Sequence, residues 1–420
     1  MILKLVILLV VSVLGGTNSL ATEARFDNYH LYDVKVENPI QLTVLLEIEK
    51  NLDGYRFWDE PRKLNSVLKI VVPPHKFAEF SELVDQYRFD VSLVTANLQE
   101  FVDKTKIKSR DGNFGWTSYH TLTEINNWLA SLATEYPKIV TVIDLEQKTT
   151  EGRIIRGVKV SYKEGNPGVF LETNIHAREW ITGAVSTYIL NQFLTSQNAE
   201  IRALAENFDW YIFPQVNPDG YVYSHTSNRM WRKTRSKTNI LCYGVDPNRN
   251  WDHAWMVAGA SSSPCSDSFA GPKPFSESET QALSNFYRTL KNIPIYISFH
   301  SYSQLLMIPF GNTTDRLSNY DDAVQIAKNA AAKLKERYGT SYKVGNIAET
   351  IYKASGGSID WIKDATDTVF SYVYELRDTG RYGFNLPPDQ IIPTAEETLD
   401  SLIVLVNESY EKVKAAANDN

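Results

Sequence analysis

The sequence has few of the residues that bind metals or form covalent cross-links, and this narrows its possible chemistry. Only two cysteines, Cys242 and Cys265, occur in 420 residues, with neither a Cys-x-x-Cys spacing nor a Cys/His cluster. A zinc site made of thiolates is therefore not expected. In an exported protein an even number of cysteines predicts disulfides, so we expect one bond between these two.

Excess positive charge and long apolar runs are also scarce. The net charge is −7 and no basic cluster is interleaved with aromatic residues, so we expect neither nucleic acid nor membrane as a partner. An apolar run from Leu5 to Leu14 follows Lys4 and precedes small residues at 19–21, the layout of a cleaved secretory signal over residues 1–21. A membrane anchor is the alternative, but the run is shorter than the ~20 residues that span a bilayer. We expect a secreted, extracellular monomer.

Residues 22–110 alternate short strand and helix patterns and predict a small α+β domain. Strand patterns cover Leu31–Val36, Tyr55–Trp58, Val67–Pro73 and Asp90–Thr95, and helix patterns cover Pro39–Leu52, His75–Tyr87 and the region of Leu98–Lys106. Helices packed on one face of such a sheet predict a ferredoxin-like sandwich. The basic, turn-rich stretch Lys104–Trp116 is either a plain linker or a place where a trypsin-like protease cuts, after Lys108 or Arg110.

Residues 111–420 predict one large α/β domain. Several segments, nearly continuous in apolar and aromatic residues, are strand candidates: 139–145, 154–162, 168–175, 209–217, 293–302 and 368–378. Such strands are buried on both faces, which is typical of a mixed β-sheet with helices on both faces.

The stretch LETNIHAREW, residues 171–180, has a histidine and a glutamate where a buried strand pattern gives way to a helix pattern. Sites on open α/β sheets lie at such strand ends. The spacing of three puts His176 and Glu179 on one side of a first helical turn or tight bend, and their side chains suit zinc. As a bare motif, His-x-x-Glu is more often a solvated helix start.

Two further residues near strand ends extend this pair to a candidate metal centre. A lone histidine such as His300 is commonly a core residue, but with His176 and Glu179 it completes the two-histidine, one-carboxylate set of catalytic zinc. Glu375 lies in an aromatic strand pattern, where an unpaired charge is costly. It is either half of an ion pair with Arg377 or a general base for a water at the metal.

Two arginine-bearing stretches lie between these elements, SNRMWRKTRS at residues 227–236 and GVDPNRNW at residues 244–251. A solvated basic loop and a surface turn are the ordinary interpretations. Arginine, however, grips carboxylates in a bidentate way and stabilises oxyanions. An enzyme that recognises a free chain end needs one arginine for each task.

Six motifs occur together in one order: NIHAREW, NRMWRKTRS, CYGVDPNRNW, SFHSYSQ, IYKASGGSIDW and YELRDTGRYGF. In order and spacing they resemble the zinc metallocarboxypeptidases of the digestive A/B type, over nearly the whole chain. The resemblance implies a secreted zymogen with a signal peptide (1–21), an activation pro-domain (22–110) and a catalytic domain (111–420). It also implies one Zn²⁺ per catalytic domain, peptide and protein C-termini as substrates, and an activating trypsin-like protease and proteinaceous carboxypeptidase inhibitors as partners.

The resemblance further implies a role for individual side chains, position by position. The implied zinc ligands are His176, Glu179 and His300. Glu375 corresponds to the glutamate that activates the zinc-bound water, Arg232 to the arginine that stabilises the oxyanion, and Asp246 to the residue that orients His176. The terminal carboxylate is held by the residues at Asn248, Arg249 and Tyr352, and the outer subsites are lined by those at Arg178, Ser301, Tyr302 and Phe384. The cysteines correspond to the family's loop disulfide.

Ile359 is expected to decide which C-terminal residue is removed. The basic-specific branch of the family has an acid there, whereas isoleucine leaves a Lys or Arg charge buried and unpaired. The same apolar, roomy wall is expected to include Ile347, Ala354, Gly357 and Val373. Asp360 and Asp367 are nearby acids that we expect to face away, since successive residues of a strand point to opposite sides. We therefore expect a preference for aliphatic or aromatic C-terminal residues, used in protein digestion.

Two alternatives stay open. The first is an enzyme specific for basic residues, and the second is a secreted relative that binds peptide ends or zinc without turnover. Such an inactive relative is expected to lack a zinc ligand or the base, and this sequence has all of them. An endopeptidase of the His-Glu-x-x-His kind is not supported because that pattern is absent.

Overall fold

The fold is described from a computed structural model, which covers residues 23–50, 54–106 and 114–418. The predicted signal peptide and the predicted cleavage positions, Lys108 and Arg110, lie outside these ranges. The described strands form one sheet of four strands and one of eight. Within the three ranges, no helix is long and apolar enough to cross a membrane.

The four-stranded sheet belongs to the N-terminal domain. Its strands are β1 (His30–Val36), β2 (Arg56–Phe57), β3 (Ser66–Val72) and β4 (Asp90–Thr95), and its helices are α1 (Pro39–Lys50), α2 (Phe77–Tyr87) and α3 (Leu98–Thr105). The strand order is β2-β3-β1-β4, with β1 antiparallel to β3 and β4. Val34 and Ile70 share a buried cluster with Phe80 of α2. The predicted ferredoxin-like sandwich is confirmed.

The eight-stranded sheet belongs to the larger domain. Its strands are β5 (Val140–Asp144), β6 (Arg156–Val160), β7 (Gly168–Thr173), β8 (Asp209–Phe213), β9 (Ile295–Ser301), β10 (Leu305–Ile308), β11 (Lys343–Asn346) and β12 (Phe370–Leu376). Its helices are α4 (Leu122–Glu135), α5 (Trp180–Thr195), α6 (Ala199–Glu206), α7 (Pro218–Thr226), α8 (Ser278–Thr289), α9 (Tyr320–Tyr338), α10 (Ile347–Thr350), α11 (Ser358–Ala365) and α12 (Ile391–Asn418). The strand order is β11-β10-β12-β9-β7-β8-β6-β5, and β8, β7, β9 and β12 run parallel at its centre.

Helices cover both faces of the larger sheet, as predicted. Because side chains alternate along a strand, Leu171 and Ile297 point into a core shared with α5, α9 and α12. Phe170 and Tyr296 point into a second core, shared with α8 and α11. Strands β10 and β11 were not predicted, since each has four residues and β11 contains glycine and asparagine, which strands disfavour.

The central parallel strands end at one edge of the sheet, and this edge brings the candidate residues together. Strand β7 ends at Thr173 and helix α5 begins at Trp180, so the connecting turn carries His176 and Glu179. His300 on β9 is the in-register neighbour of Glu375 on β12. A turn and two strands therefore supply the candidate metal centre.

The predicted disulfide between Cys242 and Cys265 is present, with 5.1 Å between the two Cα atoms. The bond joins residues 23 positions apart, which corresponds to a stabilisation of ~3 kcal/mol in the chain-entropy model. Cys265 borders the cleft described below, so the cross-link fixes one stretch of the cleft's edge.

Candidate metal centre and active site

His176, Glu179 and His300 converge into one buried cluster. Their candidate ligand atoms all lie within 4.8 Å of one another. Nδ1 of His176 is 2.8 Å from Glu179 Oε1, and Nδ1 of His300 is 3.2 Å from Glu179 Oε2. In the described part of the chain, no other group of three or more His, Cys, Asp or Glu side chains is close enough to hold a metal ion.

The donor set of this cluster fits zinc. The two imidazole Nδ1 atoms face each other at 3.1 Å, and two such lone pairs repel unless a proton or a cation lies between them. Two imidazoles and one carboxylate are a common ligand set of catalytic zinc. A zinc ion held by these three side chains would satisfy the facing nitrogens and the carboxylate together.

The second ring nitrogen of His176 is held by a carboxylate. His176 Nε2 lies 3.1 Å from Asp246 Oδ1, and Asp246 Oδ2 accepts a hydrogen bond of 2.9 Å from Arg232 Nη2. Burial raises the pKa of Asp246, but Arg232 and Arg249 outweigh it and hold that pKa well below its usual value. An ionised partner of this kind fixes the tautomer and orientation of a ligating imidazole.

Glu375 lies beside the cluster and borders the cleft. Burial raises the pKa of Glu375 to about 8; His300 opposes this shift and the charge of Glu179 adds to it. A divalent cation next to it would lower the pKa again. Arg377 does not neutralise Glu375, because Arg377 Nε donates to Glu397 at 2.7 Å. The alternative of a Glu375–Arg377 ion pair is therefore wrong.

Arg249, Asn248 and Tyr352 lie together on another side of the cluster. Arg249 Nη2 is 3.2 Å from the Tyr352 hydroxyl, and Arg249 Nε donates to the Gly259 carbonyl at 2.8 Å. Asn248 Nδ2 lies 3.4 Å from Nε2 of His300. The guanidinium is thus positioned by its own domain and borders the cleft, an arrangement suited to binding a carboxylate.

An apolar pocket opens from the same cleft. Met307, Ile359 and Val373 form a buried cluster, and the partly buried side chains packed against it are Leu305, Ile347 and Ile351. Ala354 and Gly357 also border the cavity. Val373 and Glu375 are two residues apart on β12 and so face the same side of the sheet. The expected pocket residues thus come together next to Glu375.

The two acids near this pocket differ from each other. Asp360 lies on helix α11, so the expectation from strand alternation is wrong for it. Asp360 borders the cavity, and its Oδ2 accepts a hydrogen bond of 2.8 Å from the Gly311 N–H. Burial raises the pKa of Asp360 to about 6. Asp367 is exposed. Of these two acids, only Asp360 borders the pocket, and one of its oxygens is bound to the backbone.

The expected outer-subsite residues border the cleft near its metal cluster: Arg178, Ser301, Tyr302 and Phe384. The Arg178 guanidinium lies 4.1 Å from the ring centre of Phe384, and the Tyr302 and Phe384 rings meet edge to face at 5.0 Å. The backbone N–H of Ser301 donates to Glu179 at 3.3 Å. This part of the cleft is therefore lined by aromatic rings and one guanidinium.

Residues of the N-terminal domain also enter the cleft, and they were not predicted: Trp58, Asp59 and Glu60. Glu60 Oε1 lies 3.3 Å from Arg249 Nη2, and Asp59 accepts a hydrogen bond of 3.0 Å from the Tyr302 hydroxyl. In the sequence these residues appear only as two acids next to a tryptophan, and no known motif links that pattern to contact with an active site. Fold and site together define a metal-dependent hydrolase whose cleft is covered by its own N-terminal domain.

Known proteins resemble the chain along most of its length. Residues 125–401 match the profile of zinc carboxypeptidases, and residues 32–105 match that of carboxypeptidase activation peptides. Zinc carboxypeptidase A 1 of Anopheles gambiae is 48% identical over 396 residues, which cover 93% of this chain and 91% of that protein. Carboxypeptidase B of Astacus astacus is 47% identical over 297 residues, which cover 70% of this chain and 97% of that protein.

Solved structures agree with these matches. Carboxypeptidase A from Helicoverpa armigera superposes with a TM-score of 0.84 at 28% identity, covering 94% of this chain and 100% of that one. Bovine thrombin-activatable fibrinolysis inhibitor, solved in complex with tick carboxypeptidase inhibitor, superposes with a TM-score of 0.66 at 35% identity, covering 71% and 99%. The chain therefore belongs to the zinc carboxypeptidase family. It carries the family's activation peptide as its N-terminal domain.

Proposed function

We propose that this zinc carboxypeptidase prefers aliphatic and aromatic C-terminal residues and is secreted as a zymogen for protein digestion. The preference rests on the position of Ile359, which is buried with Met307 and Val373 in the wall of the pocket. A Lys or Arg side chain against this wall would have its charge buried and unpaired, at high cost. An aliphatic or aromatic side chain instead gains hydrophobic burial.

Arg249 and Asn248 bind the terminal carboxylate of the substrate in this proposal. The Glu60 carboxylate, 3.3 Å from Arg249 Nη2, supports the role because a carboxylate already contacts this guanidinium. The Tyr352 hydroxyl, 3.2 Å from the same nitrogen, closes the site around the chain end. This grip admits a free C-terminus and rejects an internal peptide, which lacks the charge.

The scissile peptide bond then lies between Arg232 and Glu375. When bound by the His–Glu–His cluster, zinc supplies a Lewis acid that polarises a carbonyl and lowers the pKa of a water. Glu375 takes the proton of the attacking water and passes it to the leaving nitrogen. Arg232 donates hydrogen bonds to the carbonyl oxygen as that oxygen gains negative charge. Asp246 keeps the Arg232 guanidinium in place through the 2.9 Å hydrogen bond.

An enzyme specific for basic residues is the second candidate, because one relative is a carboxypeptidase B. Asp360 is the acid at the pocket that such an enzyme would use. Its Oδ2 is bound to the Gly311 N–H. Its Oδ1 has no hydrogen-bond partner among the residues that the structure describes, but the walls beside it are apolar. The apolar preference is therefore the better supported of the two.

The zymogen is proposed to consist of a signal peptide at 1–21, a pro-domain at 22–110 and a catalytic domain at 111–420. A trypsin-like protease cuts after Lys108 or Arg110. Until the pro-domain leaves, Glu60 and Asp59 occupy groups that a substrate needs. The monomeric, activated enzyme then exposes a cleft for proteinaceous carboxypeptidase inhibitors, as the complex of the bovine relative suggests.

Trypsin treatment of the secreted protein, followed by assays with blocked dipeptides ending in Phe, Leu or Arg, tests this proposal. We expect little hydrolysis before cleavage, release of Phe and Leu after it, and loss of activity in a chelator with recovery on adding zinc. Absence of hydrolysis after complete cleavage would refute the proposed activity. Faster release of Arg than of Phe would refute only the pocket preference.

A further inference from the structure

A row of side chains crosses the floor of the apolar pocket. In-register neighbours on β7, β9, β12 and β10 are Glu172, Ser298, Val373 and Met307. Side chains that pair in register on adjacent strands point to the same face of a sheet. Val373 and Met307 belong to the apolar cluster of the pocket, so Ser298 and Glu172 continue the same row. One half of the floor is apolar and the other half is polar.

The polar half of the floor lies close to the groups proposed to bind the chain end. Ser298 and Ser358 both border the cavity. The Ser358 N–H donates to Asn248 Oδ1 at 3.0 Å, and the Ser358 hydroxyl donates to Glu172 Oε1 at 2.5 Å. A single residue, Ser358, therefore connects the proposed carboxylate-binding Asn248 with the floor.

Ser298 has hydrogen-bonding capacity that the folded protein does not use. The residue is 1% exposed, and its Oγ has no hydrogen-bond partner among the residues that the structure describes. Within the same ranges, Oε2 of Glu172 also lacks one. Buried hydroxyl groups are nearly always paired, and leaving one unpaired is costly. A hydroxyl at the border of a substrate pocket is available to pair with the substrate.

We propose that Ser298 binds the phenolic hydroxyl of a C-terminal tyrosine, and that tyrosine is preferred to phenylalanine for this reason. The ring packs against Ile359 and Val373, and its hydroxyl donates to Ser298 Oγ. Phenylalanine fills the same walls but covers Ser298 without pairing it. Sites built to bind a hydroxyl discriminate against the analogue that lacks one. The inference rests on the proposed apolar preference and names the residue favoured within it.

The test uses the trypsin-activated, zinc-loaded enzyme and blocked dipeptides ending in tyrosine, phenylalanine or 4-methylphenylalanine. The last has nearly the size of tyrosine without its hydroxyl, so it separates hydrogen bonding from fit. We expect kcat/KM for tyrosine to exceed both others by about ten-fold. Ser298→Ala should bring the tyrosine-to-phenylalanine ratio close to one. The same comparison can be made with two inhibitors that differ only in the phenolic hydroxyl. On the wild type, the 4-hydroxybenzyl analogue of 2-benzylsuccinate should bind more tightly than 2-benzylsuccinate itself.

Ser371→Ala is the matched control. Ser371 lies on β12, two residues before Val373, and is 3% exposed. Its Oγ also lacks a partner in the described ranges, but it lies one row deeper than Ser298. The variant should leave the tyrosine-to-phenylalanine ratio unchanged. Because Ser298 is two residues from His300, the zinc content of each variant is measured alongside.

The outcomes separate the two proposals. A wild-type ratio at or below one, or an unchanged ratio in Ser298→Ala with zinc retained, would overturn the role of Ser298. An equal loss in Ser371→Ala would overturn it too, since general loosening would then explain the effect. Hydrolysis of none of the three dipeptides by the fully cleaved wild type would instead refute the proposed function.

Discussion

The metal end and the pocket end of the cleft differ in how their side chains are held. At the metal end, Glu179 contacts both histidines, and Asp246 contacts His176 and Arg232. At the pocket end, Ile359 packs in an apolar cluster. Hydrogen bonds are directional, whereas hydrophobic burial is not. The metal end therefore fixes the chemistry, and the pocket end can change its preference without disturbing that chemistry.

The largest effect that this comparison predicts is at the metal end, in Glu375→Gln. The amide cannot accept the proton of the attacking water, so kcat should fall by about 10³-fold or more. The zinc content should stay at one ion per molecule because Glu375 is not among the clustered ligands. Turnover and metal analysis of the activated enzyme provide the measurement. Residual activity within ten-fold of the wild type would remove Glu375 from the role of base.

Arg249 stands between the two ends, and Arg249→Met should produce the next largest loss. Removing the guanidinium removes the hydrogen bonds that we propose it makes to the terminal carboxylate, so kcat/KM should fall by about a hundred-fold, mainly through KM. Arg249→Lys keeps the charge without the bidentate geometry, so its kcat/KM should lie between those of the wild type and Arg249→Met. Equal kinetics for the wild type and Arg249→Met would show that the carboxylate binds elsewhere.

At the pocket end, Ile359→Asp should change preference rather than chemistry. A carboxylate there pairs with a Lys or Arg side chain and is costly against an apolar one. The ratio of kcat/KM for Arg to that for Phe should rise by about a hundred-fold. The chelator sensitivity should remain that of the wild type. An unchanged ratio in a folded, zinc-loaded variant would place the specificity of the pocket in other side chains.

The pro-domain offers a way to sharpen the comparison, because it contacts the boundary of the two ends through Glu60. In the uncleaved zymogen, Glu60→Gln replaces the ionic contact with Arg249 by a weaker, neutral hydrogen bond. Its activity on a blocked dipeptide should therefore rise by about five- to ten-fold. Glu82→Gln, an exposed change on α2, is the matched control and should have no effect. Equal activity of the two zymogens would remove Glu60 from the inhibition.

The same division explains what the sequence could predict. The metal end could be predicted because the chain has only seven histidines and zinc accepts few kinds of ligand. The role of Ser298 could not be predicted, since a serine inside an apolar strand has no distinguishing pattern. The contact of Glu60 with Arg249 could not be predicted either. The two residues are 189 positions apart, and no local rule describes the docking of two domains. Long apolar strands were predicted, whereas β10 and β11, at four residues each, were too short to show a period.

The smallest effect on activity is predicted for a change at Glu279, a buried carboxylate away from the cleft that differs from Asp246 at the metal end. Asp246 is buried with two arginines, and its pKa is well below its usual value. Glu279 is also buried, but its nearest charges include Glu277, and burial raises its pKa to about 8 from 4.5. Between these two values the folded state keeps a proton that the unfolded state has lost. The free energy of unfolding therefore falls as the pH rises from about 4.5 to about 8.

Glu279→Gln removes that titration and should stabilise the protein at alkaline pH. We expect a small change in the free energy of unfolding at about pH 5 and a larger gain at about pH 8.5. The limit of that gain, set by the pKa shift from 4.5 to about 8, is ~5 kcal/mol. Thermal unfolding of the zymogen at both pH values measures the difference, with Glu82→Gln as the exposed control. A gain of equal size at both pH values would contradict the explanation. In that case the amide would act through packing, and the buried charge of Glu279 would not explain the gain.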